Sequence, residues 1–244
     1  MRVTVVVVCA LTLLTGTQAG GGTPVTATPV RAGATTTGEP ITGEPLRIMA
    51  LGASSTVGTG SPATAGYRGP LQELLAEDGL TVDMVGSQQD GPPPVPDRDH
   101  EGRGGWTLAQ MIPSVAGWVT QAHPDVVLLH AGTNDLIQGV SARLTAERLD
   151  AVLDAIEGVS DAHIVVAGVW APLPDRRAAR AEFAERAAAV VREHQEQGQH
   201  VTYVDTGALL SHGEFADGLH PNAAGYRRIA RMWEKQTLAA VAER

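Results

Sequence analysis

The sequence predicts an α/β fold: a five-stranded parallel sheet with helices on both faces. Three observations carry that expectation. Short apolar runs rich in β-branched residues recur along the chain, each bounded by Gly, Pro or Asp. Between them lie segments whose apolar residues fall at i, i+3, i+4 and i+7, the period of a helix with one buried face. From about residue 46 onward the two kinds of segment alternate, which is the order of βαβ units rather than of hairpins.

Two segments precede the folded part. Arg2, the apolar run Val3 to Leu14 and Thr17-Gln18-Ala19 have the layout of a secretory signal, expected over residues 1–19. The apolar run stops at about a dozen residues, short of the roughly 18–20 that a membrane span needs. Residues 20–45, GGGTPVTATPVRAGATTTGEPITGEP, hold too little apolar surface to offset their ordering entropy, and read as a Gly/Thr/Pro-rich disordered linker. The expected product is a secreted protein whose folded domain spans residues 46–244, with no membrane association once the signal is cleaved.

The strands are expected at Leu46 to Leu51, Thr81 to Val85, Asp125 to His130, His163 to Val169 and Val201 to Val204. Helical faces are formed by Leu108, Met111, Ile112 and Val115, by Leu149, Val152, Leu153 and Ile156, and by Tyr226, Ile229, Ala230 and Trp233. Pro113 falls inside the first of these and leaves its start open.

Composition narrows the function classes. The 244 residues carry 18 Lys+Arg against 27 Asp+Glu, a formal charge of −9 that becomes −10 when Arg2 leaves with the signal. A nucleic-acid backbone binder needs clustered Lys and Arg, so nucleic acid is not an expected partner. The single Cys, Cys9, lies inside the expected signal, which excludes a disulfide framework, CxxC redox chemistry and Cys-rich zinc sites. No P-loop or GxGxxG is present and neither His100-Glu101 nor His194 has an HExxH partner, so no cofactor is expected. The chain is expected to act as a monomer.

In parallel sheets the ligand site lies beyond the carboxyl ends of the strands, and there the polar motifs fall. Ser54 follows the first strand in Leu51-Gly52-Ala53-Ser54-Ser55, with Gly52 permitting a tight turn and Ser55 as the decoy. Glu101-Gly102-Arg103-Gly104-Gly105-Trp106 lies in the loop after the second strand, and Gly132-Thr133-Asn134-Asp135 follows the third. Asp217-Gly218-Leu219-His220 lies after the fifth, immediately before the last helix. An ester-cleaving site needs a nucleophile, a base, an orienter and oxyanion donors. Ser54, His220, Asp217 and Asn134 offer those groups in turn. Each motif alone has an ordinary explanation: a turn serine, a solvated Asp–His pair, a helix cap, a mobile Gly-rich loop.

Their order along the chain resembles the SGNH hydrolases, also called the GDSL esterase/lipase superfamily, over Leu46 to about Ala240. The resemblance implies a flavodoxin-like three-layer α/β/α sandwich. It implies a catalytic Ser54, Asp217 and His220, and an oxyanion hole built from the Ser54 backbone, Gly102 and Asn134. Within the superfamily the chain looks most like the family 3 carbohydrate esterases, the acetylxylan esterase-like group. The segments that carry this are Gly66-Tyr67-Arg68, Asp83-Met84-Val85-Gly86-Ser87-Gln88, His100-Glu101-Gly102, His130-Ala131-Gly132-Thr133-Asn134-Asp135 and His220-Pro221-Asn222-Ala223-Ala224-Gly225-Tyr226. Two departures stand out: Ala53 occupies the Asp position of Gly-Asp-Ser, and Arg103-Gly104-Gly105-Trp106 replaces the His-Ser-Gly that relatives often carry.

The expected function is therefore a serine esterase releasing acetyl or other short acyl groups from carbohydrate such as acetylated xylan. The alternatives are a lipase or general carboxylesterase acting on fatty acyl esters, and a non-catalytic glycan-binding module. Trp106 and Trp170, near the same sheet edge, are candidates for substrate contact; Trp118 and Trp233 are expected in the core. His130, at the end of the third strand, is expected to make a structural hydrogen bond. The absence of a G-x-S-x-G elbow disfavours the α/β-hydrolase route to the same chemistry.

Overall fold

The computed structural model describes residues 44–243; the expected signal, and all of the expected linker except its last two residues, lie outside them. In chain order the strands are β1 (Leu46–Gly52), β2 (Val82–Val85), β3 (Gln88–Gln89), β4 (Asp99–Gly102), β5 (Val126–His130), β6 (His163–Ala167) and β7 (Val201–Val204). The α-helices are α1 (Ser54–Val57), α2 (Arg68–Glu77), α3 (Leu108–Ala122), α4 (Thr133–Ile137), α5 (Ala142–Glu157), α6 (Arg177–Glu196) and α7 (Ala223–Ala242). The five expected strands are present, each within two residues at either end.

The centre of the sheet is parallel, in the order β2-β1-β5-β6-β7. Two strands were not foreseen. β2 pairs with the first half of β1, from Leu46 to Met49, and β4 takes over the same edge at Leu51 and Gly52. β3 then adds antiparallel to β4. Strand β4 reads Asp-His-Glu-Gly, with no apolar alternation to signal it. It is nonetheless buried, because His100 and Glu101 are fully enclosed and the Glu101 carboxylate is satisfied by Ser87 and Arg103.

Alternation along the strands divides the core in two. Met49, Leu51, Val127, Leu129, Ile164 and Val166 face α3, α5 and α6, meeting Val115, Val152 and Phe183. Ile48, Ala50, Val126, Leu128, Val165 and Ala167 face α2 and α7, meeting Leu71, Tyr226 and Trp233. This makes the three-layer sandwich, since a strand buried on both sides must be apolar at every position.

Helix α3 begins at Leu108, where Thr107 and Gln110 form a capping box. Pro113 is tolerated at its sixth residue because it and Ala109, whose carbonyl loses its donor, both face solvent. Among the described residues no helix is long and apolar enough to cross a membrane.

Candidate active site

The carboxyl edge of β1 delivers the first group. Gly52 is required there by crowding rather than by a turn: a Cβ on it would lie 2.4 Å from the His130 carbonyl oxygen and from Thr56 Oγ1. Ser54 opens α1, and as its first residue the Ser54 N–H has no acceptor one turn back. Its Oγ lies 2.9 Å from Nε2 of His220, whereas Ser55 is buried.

Arg68, fully enclosed at the start of α2, donates from Nε to the carbonyl of Thr56 and from Nη2 to that of Val57. Its remaining bonds go to the carbonyls of Asp90 and Arg98, so one guanidinium ties the end of α1 to the loop before β4. Burial lowers its pKa, and it is the side chain of this site to which sequence reasoning gave no role. Arginine in a helix ordinarily reads as a solvated face; the one signal otherwise is its place in Gly66-Tyr67-Arg68, a segment that carries the family resemblance.

The second group comes from an irregular loop tied down at both ends. Phe215 and Pro221 form an antiparallel bridge, Ala216 donates to the His220 carbonyl at 2.8 Å, and Asn222 caps α7 through Ala224 and Gly225. Within the loop, Asp217 Oδ1 accepts from the backbone N–H groups of Leu219 (3.0 Å) and His220 (2.7 Å). Its Oδ2 lies 2.7 Å from His220 Nδ1. The bonds from the His220 backbone and ring, with that from Leu219, hold the Asp217 carboxyl down at about 2. The His220 side chain is 15% exposed and that of Asp217 53%, so the pair lies at the rim of the site. Gly60, with φ at +93°, lets the segment after α1 approach this loop: a Cβ there would meet the Pro221 carbonyl oxygen at 2.4 Å. Tyr226 adds a bond from its hydroxyl to the Thr59 carbonyl at 2.6 Å.

The third group is Asn134, in the first turn of α4. One N–H of its amide donates to the Trp106 carbonyl at 2.8 Å, which leaves the other for the cleft. The neighbouring Asp135 is wholly structural, accepting from Leu108 N at the start of α3 and from Arg148.

One small cleft is lined by Ala53, Ser54, His130, Asn134, Trp170, Leu219 and His220, among others. The structure thus brings together Ser54, Asn134, Trp170 and His220, with Asp217 behind His220. Two candidates fall elsewhere. Gly102 sits beside Gly52 at the same sheet edge, but its N–H donates to Nδ1 of the buried His100 at 2.9 Å. In this arrangement that N–H, one of the three expected oxyanion donors, is committed to an internal acceptor. Trp106 does not line the cleft: its ring lies 5.8 Å from that of Trp118, and the Arg103 guanidinium lies over both, 5.0 and 4.5 Å from their centroids. Arg103, the departure noted in the sequence, also pairs with Glu101.

Trp170 lines the cleft yet is only 2% exposed, because the His130 ring stacks on it at 3.3 Å with the planes 4° apart. It forms a wall rather than a platform open to a sugar. His130 makes no hydrogen bond through either ring nitrogen among the described residues, contrary to expectation. Stacking replaces the bond, and complete burial drops its pKa to about 3, keeping the ring neutral.

Comparison with known proteins gives consistent matches. A model of the GDSL-like lipase/acylhydrolase family matches residues 50–228. The structure of a family 3 carbohydrate esterase from Clostridium thermocellum is similar at 32% identity and a TM-score of 0.73, over 82% of this chain and 98% of that one. A family 3 carbohydrate esterase from Talaromyces cellulolyticus shares the fold, with a TM-score of 0.66 and 24% identity over 82% of this chain and 99% of that one. Among curated sequences, a multidomain esterase of Ruminococcus flavefaciens is 27% identical over 78% of this chain, which spans 28% of that protein's length.

Proposed function

The chain belongs to the GDSL-like lipase/acylhydrolase family and is a carboxylic ester hydrolase, and from that premise we propose that it is a secreted serine esterase removing acetyl groups from carbohydrate. Ser54 Oγ attacks the ester carbonyl while His220 Nε2 takes its proton. Asp217 holds the imidazole by Nδ1 and stabilises the imidazolium. The oxyanion lies against the Ser54 N–H and the Asn134 amide. His220 then protonates the departing sugar hydroxyl and activates the water that releases acetate from the acyl-enzyme.

The observation that supports the mechanism is the unbroken relay from Ser54 Oγ to His220 at 2.9 Å and from His220 to Asp217 at 2.7 Å. The acyl preference is supported by the walls of the cleft, where the stacked rings of Trp170 and His130 stand beside Ser54 and Asn134 and narrow it. The similarity to a family 3 carbohydrate esterase supports an acetylated sugar as the alcohol partner.

Ser54→Ala is expected to abolish hydrolysis of p-nitrophenyl acetate, and a variant with wild-type turnover would sink the mechanism. Across an acyl-length series the rate is expected to fall beyond two carbons; a preference for eight carbons or more favours the fatty-ester reading. Acetate release from acetylated xylan, set against acetylated chitin oligomers and triglycerides, tests the alcohol partner.

A further inference from the structure

A second cluster of chemistry-bearing side chains lies far from the cleft along the fold. It joins the last turns of α5 and α6, just before β6 and β7 begin, and therefore sits at the amino edge of the sheet. Asp154 and Glu157 stand three residues apart on one face of α5 and His194 faces them from α6. Each offers one ligand atom, and the three atoms lie within 4.8 Å of one another.

Three features separate this group from an ordinary surface ion pair. His194 is 2% exposed, with Nδ1 2.7 Å from Glu157 Oε2 and Nε2 2.9 Å from Asp150 Oδ1. The Glu157 side chain is itself 10% exposed. Its second oxygen, Oε1, is buried with no hydrogen-bond donor among the described residues. An acceptor left without a donor costs about 1–3 kcal/mol.

The geometry points to a divalent transition-metal site, with zinc as its probe, held by Asp154, Glu157 and His194 Nδ1. Asp150 supplies what a metal-bound histidine ordinarily has, a carboxylate on the other ring nitrogen that fixes the tautomer and the ring plane. The ion takes the place of the Nδ1 proton, which is released on binding. Ligand atoms around tetrahedral zinc lie about 3.4 Å apart, given bonds of roughly 2.1 Å, so the exposed Asp154 closes the site by a change of rotamer. One coordination position is left to water. An imidazole with two carboxylates suits zinc, nickel or cobalt rather than calcium or magnesium. At this edge of the sheet the ion pins two helices together and takes no part in ester hydrolysis.

The test uses the chain without a polyhistidine tag, stripped with chelator. Isothermal titration with zinc chloride is expected to give one site per chain, and saturating zinc to raise the unfolding midpoint by several degrees. Cobalt in its place is expected to show the visible bands of a four-coordinate ion. Glu157→Gln and Asp154→Asn should each weaken zinc binding at least about tenfold, with p-nitrophenyl acetate turnover unchanged. Both substitutions preserve side-chain shape, and circular dichroism checks that each variant is folded. An absence of zinc binding at 100-fold over the protein would overturn the site, leaving an ionic clamp only. So would full binding by the double variant, which would move the ion to the nearby His163 and His200.

Discussion

Asp217 is the residue on which the proposed relay is least protected. Its carboxylate keeps three hydrogen bonds but is more than half exposed, so water screens much of the field it exerts on the imidazolium. Removing the charge of a fully buried triad aspartate costs about 10⁴ in kcat. Here Asp217→Asn is expected to lower kcat for p-nitrophenyl acetate by about 10²-fold with little change in KM, the loss arising from the wrong tautomer. A variant within twofold of wild type would show that the loop alone orients His220. The convergence of Ser54, Asp217 and His220 is legible in the sequence because their order along the chain is distinctive, although each alone is common. Gly102 is a different matter. Its residue type is legible, but the direction of its N–H depends on whether His100 Nδ1 is there to accept it, and no sequence pattern carries that. His130 was misjudged for a related reason: a histidine reads as a hydrogen-bonding group, and here it serves as a flat ring against Trp170.

Among the elements, those with an apolar rhythm were legible and those built from polar residues were not. β5 and β6 announce themselves through Val, Ile and Leu, whereas in Asp99–Gly102 the buried Glu101 is held by Arg103 and Ser87, which no apolar rhythm signals. Arg68 was overlooked for the same reason, since its four carbonyl acceptors come from residues 11 to 30 positions away. The docking of α1 against the histidine loop depends on Gly60. Gly60→Ala forces a left-handed φ on a residue with a side chain and drives its Cβ into the Pro221 carbonyl. The expected result is a stable protein, within about 2 kcal/mol of wild type by denaturant unfolding, with kcat reduced at least about tenfold as the bond between Ser54 and His220 lengthens. A loss of stability with unchanged kcat per folded molecule would mean that the approach matters for packing alone.

At the scale of the whole molecule, four buried histidines bear on the response to acid: burial lowers His163, His194 is raised against its own burial by Asp150 and Glu157, and His100 and His130 shift furthest. His100 and His130 are each pushed down to about 3, the first by burial and then by Arg68 and Arg103, the second by burial. An unfolded chain takes up those protons near pH 6.5 and the fold refuses them until far lower. Their contribution to stability is therefore complete above pH 6.5 and is lost as the pH falls toward 3. Each group removes about 1.4 kcal/mol per pH unit across that window, or about 4 kcal/mol for the pair between pH 7 and pH 5. Urea unfolding at the two pH values reads this contribution together with those of His163 and His194. His130→Phe, which keeps a flat ring against Trp170, is expected to shrink the difference by about 2 kcal/mol; an unchanged difference would place the acid sensitivity elsewhere.

The bond between Ser54 and His220 closes a loop of 166 positions. The proposed nucleophile stands at the end of the first strand, and the proposed base arrives only with the segment that leads into the final helix. A chain that has formed β1 through β7 but not yet seated α7 holds a serine with nothing to activate it. Hydrolytic competence is thus a late reporter of complete assembly, and the burst of ester cleavage after dilution from denaturant is expected to lag the recovery of β-sheet signal. In this architecture the last element of the chain arms the first.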